Sequence, residues 1–222
     1  MGERQPLLIL GAGAHGGVVR DCVDDRHFQF MGYLDDRPSD RPSGKGEPVL
    51  GGLDDLPVLL RDYPHAAAVI AIGDNMSRRR VAERAQSLAP GVTWARIVHP
   101  TAILSVHIEI GPGTVIVAGS IVNCGSSLGR HVLINTGTII DHDNSMDDFA
   151  STGPGVSTGG DVQIGSLSHI GIGASVRHGI RIGRNCVIGG KAYVDRDVGD
   201  NWVSFGIPAR PQYQRVLGQS YL

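Results

Sequence analysis

The chain has 222 residues, with 32 Gly, four Phe, two Trp and a formal net charge of −2. That length allows one or two domains, the charge carries no nucleic-acid footprint, and no apolar run approaches the ~20 residues of a membrane span. Three cysteines (Cys22, Cys124, Cys186) lack metal-like spacing, so a reducing, cytoplasmic setting without a metal is expected, and the opening MGERQPLLIL turns strand-like too soon for a signal peptide.

Residues 1–98 alternate strand and helix patterns. Residues 6–10 read as a short buried strand. The loop Gly11-Ala12-Gly13-Ala14-His15-Gly16-Gly17 then opens a helix through Val18, Val19, Cys22 and Val23. A second strand over 28–34 ends at Asp35-Asp36. Residues 37–48 are rich in Pro, Gly and Ser and predict a surface loop. A helix over 53–61, a strand over 67–72 ending at Gly73-Asp74-Asn75, a helix over 76–88 and a last strand over 93–98 follow. This alternation predicts a small Rossmann-like parallel sheet with helices on its faces. His99-Pro100 marks the passage to a second domain, 99–222.

From Leu104 to Val194 that domain keeps a six-residue beat without an insertion. Every sixth residue is large and apolar except Thr152 and Thr158, for which mutual or backbone hydrogen bonding is the expected account. Gly, Asn or Asp usually follows each apolar position, and a small or β-branched residue sits four further on, as at Thr114, Ser126, Ala150, Ala174 and Cys186. A helix would smear a period of six around its circumference. Three short strands per coil explain all three columns, so a parallel β-helix of about five coils is predicted.

Two motifs carry chemistry. Gly11-x-Gly13-x-x-Gly16, with Asp35 at a strand end further on, has dinucleotide-fingerprint spacing. About 98 residues make only half of a full dinucleotide domain, so a mononucleotide or nucleotide-sugar handle is preferred to NAD. His15 can meet a phosphate held there. In the β-helix, His142 occupies a corner between Asp141 and Asp143. Either carboxylate can fix its tautomer, and Asp143 is preferred. Residues 18 apart stack on successive coils, so Cys124, His142, Gly160 and His178 line up. Gly160 would leave room for an incoming group and aim its N–H at a developing oxyanion. His178, two strand spacings from His142, is expected to be too far to partner it. His107, His131 and His169 lack comparable acidic neighbours and read as structural.

These residues resemble the family of sialic-acid O-acetyltransferases and nucleotide-amino-sugar N-acetyltransferases. The likeness rests on Leu-Leu-Ile-Leu-Gly-Ala-Gly-Ala-His-Gly near the start, Tyr33-Leu34-Asp35-Asp36, Ile70-Ala71-Ile72-Gly73-Asp74-Asn75 and His99-Pro100-Thr101-Ala102. Ile134-Asn135-Thr136, Ile140-Asp141-His142-Asp143 and Phe205-Gly206-Ile207-Pro208-Ala209-Arg210-Pro211 complete it. The resemblance implies a left-handed β-helix, a homotrimer with sites between subunits, and acetyl-CoA lying along the β-helix. It implies His142 as general base oriented by Asp143, and Gly160, Ser151, Gly173, Ala174, Lys191 and Arg210 near the cofactor. Gly11, Gly13, His15, Gly16, Asp35, Asp36, Arg37, Gly73 and Asp74 would hold the nucleotide-linked sugar. Relatives commonly carry a second histidine where this chain has Ser151. The expected activity is acetyl transfer to an amino sugar for bacterial surface glycan (O-antigen) biosynthesis. O-acetylation of a sialic-acid-like sugar, or a non-catalytic nucleotide-sugar or NAD-binding protein, are the alternatives.

Overall fold

A computed structural model describes residues 3–37 and 46–221. Most of the loop expected over 37–48 therefore lies outside the described residues. The first domain contains β1 (Gln5–Leu10), α1 (Ala14–Asp21), β2 (Phe28–Leu34), β3 (Val49–Gly51), α2 (Leu56–Asp62), β4 (Ala67–Ile70), α3 (Asn75–Leu88) and β5 (Thr93–Trp94). The strands form one parallel sheet in the order β3-β2-β1-β4-β5. Leu7 and Ile9 face one core, and Leu8 and Leu10 face the other with Leu53 and Leu56. That is the alternation a two-faced sheet requires. The three-residue strand β3 is an exposed edge, and its single β-branched residue gave no periodic signal.

The strand expected over 93–98 is two strands. Thr93–Trp94 closes the flat sheet, whereas Ile97–Val98 pairs with Val115–Ile116 and begins the second domain. Ala95 and Arg96 turn the chain between them.

The second domain is a three-sided prism, a left-handed parallel β-helix. Strands pair in register with the strand 18 residues on, as Ile103 with Ile121 and Ile121 with Ile139. The large apolar column fills the interior, from Ile116 through Ile134, Ile140 and Ile164 to Val194. The small column is buried beside it. Its hydroxyls tie coils together: Ser126 Oγ donates to the Asp141 carbonyl at 2.8 Å and accepts the Asn144 N–H at 3.1 Å.

The three outer faces differ in composition. One carries Ile97, Val115 and Leu133, which are buried against Leu7, Ile9 and Val69 of the first domain. Another carries Glu109, Ser127, Ser145, Gln163 and Arg181 and is polar throughout. The third carries Ile103, Ile121, Ile139, Ser157, Ser175 and Tyr193, and leaves Ile103 63% and Ile139 41% exposed.

Arg78 joins the domains. Its guanidinium, 2% exposed, donates from Nε to the His131 carbonyl, from Nη1 to those of Ile72 and Gly73, and from Nη2 to Phe149 and to Asn75 Oδ1. Burial lowers its pKa to about 10.

Candidate active site

His142 stands at the corner between the apolar and polar faces of the prism, after Ile139–Ile140 and before Ser145–Met146. The corner is pinned from inside the prism. Asn144, 2% exposed, donates through Nδ2 to the carbonyls of Asp141, His142 and Gly159 at 2.8–3.0 Å. Asn144 was not singled out in the sequence. Its signal is a long polar side chain in a column of small residues.

Asp143 holds the imidazole: Nδ1 and Oδ2 are 2.8 Å apart. Asp141 points elsewhere, accepting the His142 N–H at 2.9 Å and Asn123 Nδ2 at 3.0 Å. The Asp143 hydrogen bond, with the charges of Asp141, Asp143 and Asp161, raises the His142 pKa above its usual value. With Nδ1 engaged by a carboxylate, Nε2 is the nitrogen left free to act as a base.

Two glycines make room for this pair. A Cβ on Gly160 would lie 2.4 Å from His142 Nε2, and one on Gly125 would lie 2.1 Å from Asp143 Oδ1. The space above Gly160, expected to admit an incoming group, is thus filled by the imidazole itself. The Gly160 N–H donates to no atom among the described residues. Because the imidazole leans over Gly160, it approaches His178, and their ring centroids are 6.3 Å apart. No hydrogen bond joins the two rings among the described residues, so His178 is not a direct partner of His142, although the side chains come closer than the two strand spacings between their corners.

The column above His142 continues through Gly160 and His178 to Arg196. Arg210 joins this edge at its far end by an ion pair with Asp195 at 2.8 Å. Gly173 and Lys191 lie on another edge, across the apolar face, with the Lys191 amine passing over Gly173. The Ala174 side chain is fully buried in the prism, so only its backbone can meet a ligand. Ser151 is also misplaced by the sequence reading. It is 1% exposed on the face covered by the first domain, with Oγ 2.8 Å from His169 Nδ1, and His169 stacks on Tyr221 at 4.5 Å. Nine residues are half a coil, which carries Ser151 to a different face from His142.

In the first domain the glycine loop divides by function. Gly11 and Gly16 close the strand-to-helix turn: a Cβ on Gly16 would lie 2.5 Å from the Gly11 carbonyl, and Gly11 has φ +112. Gly13, the N-cap of α1, has nothing within 4 Å of a Cβ position, and no acidic residue enters the first turn of the helix. This leaves an open, electropositive helix end. Asp35 braces the loop, accepting the Ala12 N–H at 2.8 Å through Oδ2 and the Arg37 N–H at 3.0 Å through Oδ1. Asp36 accepts the Leu53 N–H and pairs with Arg84. Asp74 caps α3 by accepting the Ser77 N–H at 2.8 Å, and the Gly73 carbonyl is held by Arg78. Burial, with the charge of Arg78, lowers the His15 pKa to about 4, so its imidazole is neutral near pH 7.

Among the described residues no group of His, Cys, Asp and Glu is placed to hold a metal ion, and no helix is long and apolar enough to cross a membrane.

Known proteins resemble this chain in sequence and in fold. The PglD N-terminal domain model matches residues 6–85. The UDP-N-acetylbacillosamine N-acetyltransferase of Bacillus subtilis (strain 168) is 35% identical over 114 residues, 50% of this chain and about half that relative's length (51%). The GDP-perosamine N-acetyltransferase of Escherichia coli O157:H7 is 30% identical over 181 residues, 78% of each chain. A histidine-to-asparagine variant of perosamine N-acetyltransferase from Caulobacter crescentus, solved with CoA and GDP-perosamine, superposes with a TM-score of 0.87 at 29% identity, over 94% of this chain and 97% of that one.

Proposed function

The chain belongs to the nucleotide-amino-sugar N-acetyltransferase family, and on that premise we propose that it moves acetyl from acetyl-CoA to the amine of a nucleotide-linked amino sugar, for a bacterial surface glycan. The observation that carries this reading is the exposed His142–Asp143 pair beside the unclaimed Gly160 N–H. Two relatives act on amino sugars by name, and a third was solved with both CoA and GDP-perosamine.

A sugar amine should titrate near an α-amino group, at about 8, so about a tenth to a fifth of it is neutral at physiological pH. Its nitrogen attacks the thioester carbonyl carbon. His142 Nε2 takes one proton from it, Asp143 stabilises the imidazolium, and the Gly160 N–H faces the developing oxyanion. The carbon–sulfur bond breaks, and the imidazolium returns the proton to the thiolate. The pantetheine arm would follow the edge from His142 past His178, with Arg210 near the phosphates. Gly173 and Lys191 would serve only across a subunit boundary. Residues 1–98 would hold the nucleotide, with its phosphates at the open end of α1 beside Gly13.

The assembly proposed is a homotrimer. Support comes from the apolar ladder Ile103–Ile121–Ile139, uncovered while the other two faces are buried or polar. His142 lies at its rim, where a neighbouring copy would complete a cleft. Three unpaired thiols suit a cytoplasmic setting.

The test is acetyl transfer from acetyl-CoA to UDP-, GDP- and dTDP-linked amino sugars, set against free nonulosonic acids. Transfer to one of the nucleotide-linked amines, abolished in His142→Ala, is expected. Transfer to free nonulosonic acids alone would refute the reading.

A further inference from the structure

We propose that Thr158 makes the site selective for an amine over a hydroxyl, by freeing its own main-chain carbonyl to accept the second N–H of the attacking nitrogen. The proposal rests on the acetyl-transfer reading above.

At most corners that follow a strand, the first residue donates its N–H to the carbonyl 17 residues on. Asn123 donates to Ile140 at 2.9 Å, Gly129 to Met146 at 2.8 Å, Asp147 to Ile164 at 2.9 Å and Gly159 to Val176 at 2.8 Å. Two successive corners depart from this. The Asn135 N–H goes to the Thr152 hydroxyl at 3.0 Å, and the Asp141 N–H goes to the Thr158 hydroxyl at 3.1 Å. Strand pairing shortens at the same places, since Leu133 meets Ser151 and Ile139 meets Ser157 without the next rung. In each case a side-chain oxygen replaces a backbone one. The Thr158 carbonyl is left with no donor among the described residues.

Its direction follows from peptide geometry. The 158–159 bond is trans, and the Gly159 N–H points up the prism to Val176. The carbonyl on the same peptide therefore points down, toward the coil where Asp141 and His142 form the corner. A backbone acceptor is an obligatory hydrogen-bonding group, and this one lies two residues before Gly160, the residue that the His142 imidazole covers.

A neutral primary amine brings two N–H groups. One proton passes to His142 as the carbon–nitrogen bond forms, and the other stays on the amide nitrogen of the product. The second N–H needs an acceptor if the lone pair is to be aimed at the thioester. A hydroxyl has a single hydrogen, which His142 claims, and its remaining lone pairs would face the carbonyl oxygen unfavourably. Discrimination by an unpaired polar group of this kind is strong.

The test is Thr158→Val, with Thr158→Ser and Thr152→Val as controls. Ile140 and Val176 occupy the same buried column, so valine suits the position. Without the hydroxyl, the Asp141 N–H returns to the carbonyl. We expect kcat/KM for the amino sugar to fall about tenfold in Thr158→Val, with KM for acetyl-CoA and the slow hydrolysis of acetyl-CoA unchanged. Both controls should stay near wild type. Thr158→Ala carries the same expectation should valine overpack. Full transfer in Thr158→Val and Thr158→Ala would overturn the proposal, as would equal losses of transfer and hydrolysis. A wild-type protein that acetylates no nucleotide-linked amine would instead refute the acetyl-transfer reading, and this proposal with it.

Discussion

Gly160 lies directly under the imidazole of His142, so that a Cβ there would come within 2.3 Å of Cε1. Gly160 has no left-handed backbone conformation to lose, so Gly160→Ala should fold with near wild-type thermal unfolding. The methyl group would push the ring off its position. A displaced base costs about 10²-fold in kcat, to be read in steady-state assays beside the melting curve.

Asp143→Asn keeps the shape of the pair and removes its charge. The raised His142 pKa means that the neutral base is lost as pH falls through that raised value. In Asp143→Asn the pKa should drop, moving the acid limb of the kcat profile to lower pH, with a plateau about tenfold or more below wild type. A limb that stays in place would show that Asp143 does not set the pKa.

The two kinds of glycine in the first domain should separate in mutants. Gly16→Ala must clash with the Gly11 carbonyl and should cost about 1–3 kcal/mol of stability. Gly13→Ala meets no atom, so its unfolding should match wild type. Its KM for the nucleotide sugar should rise about tenfold, because backbone approach of a phosphate is hindered, while KM for acetyl-CoA stays constant.

Arg78→Met should be among the most destabilising substitutions. It leaves the Ile72, Gly73, His131 and Phe149 carbonyls without this donor inside a closed interface. A loss of about 3–5 kcal/mol in denaturant unfolding is expected.

Ile139→Asp places a charge on the apolar outer face, and Ser127→Asp places one on the polar face. Sedimentation should find the first dissociated and the second assembled as wild type. Equal behaviour would remove the argument for a homotrimer built on that face.

The sequence alone determined the prism. Because side chains in such a coil repeat every six residues, the interior columns, the corners and the 18-residue stacking follow from counting. The corner position of His142 and its acidic neighbours follow too. Local patterns also predicted most of the first sheet, since strand and helix periods are short-range. The tertiary structure decided what counting cannot reach. Asp143, not Asp141, turned to the imidazole because the corner at Asp143 takes a left-handed conformation, with φ +58, over Gly125. Ser151 is buried because the first domain docks on its face of the prism, a contact between distant parts of the chain. Arg78, unremarkable among three arginines, became the joint between domains because only folding brings carbonyls from Gly73, His131 and Phe149 to one point. Thr152 and Thr158 looked like breaks in a column, yet their hydroxyls replace rungs of the ladder, a choice made by hydrogen-bond geometry between coils that the one-dimensional pattern does not encode.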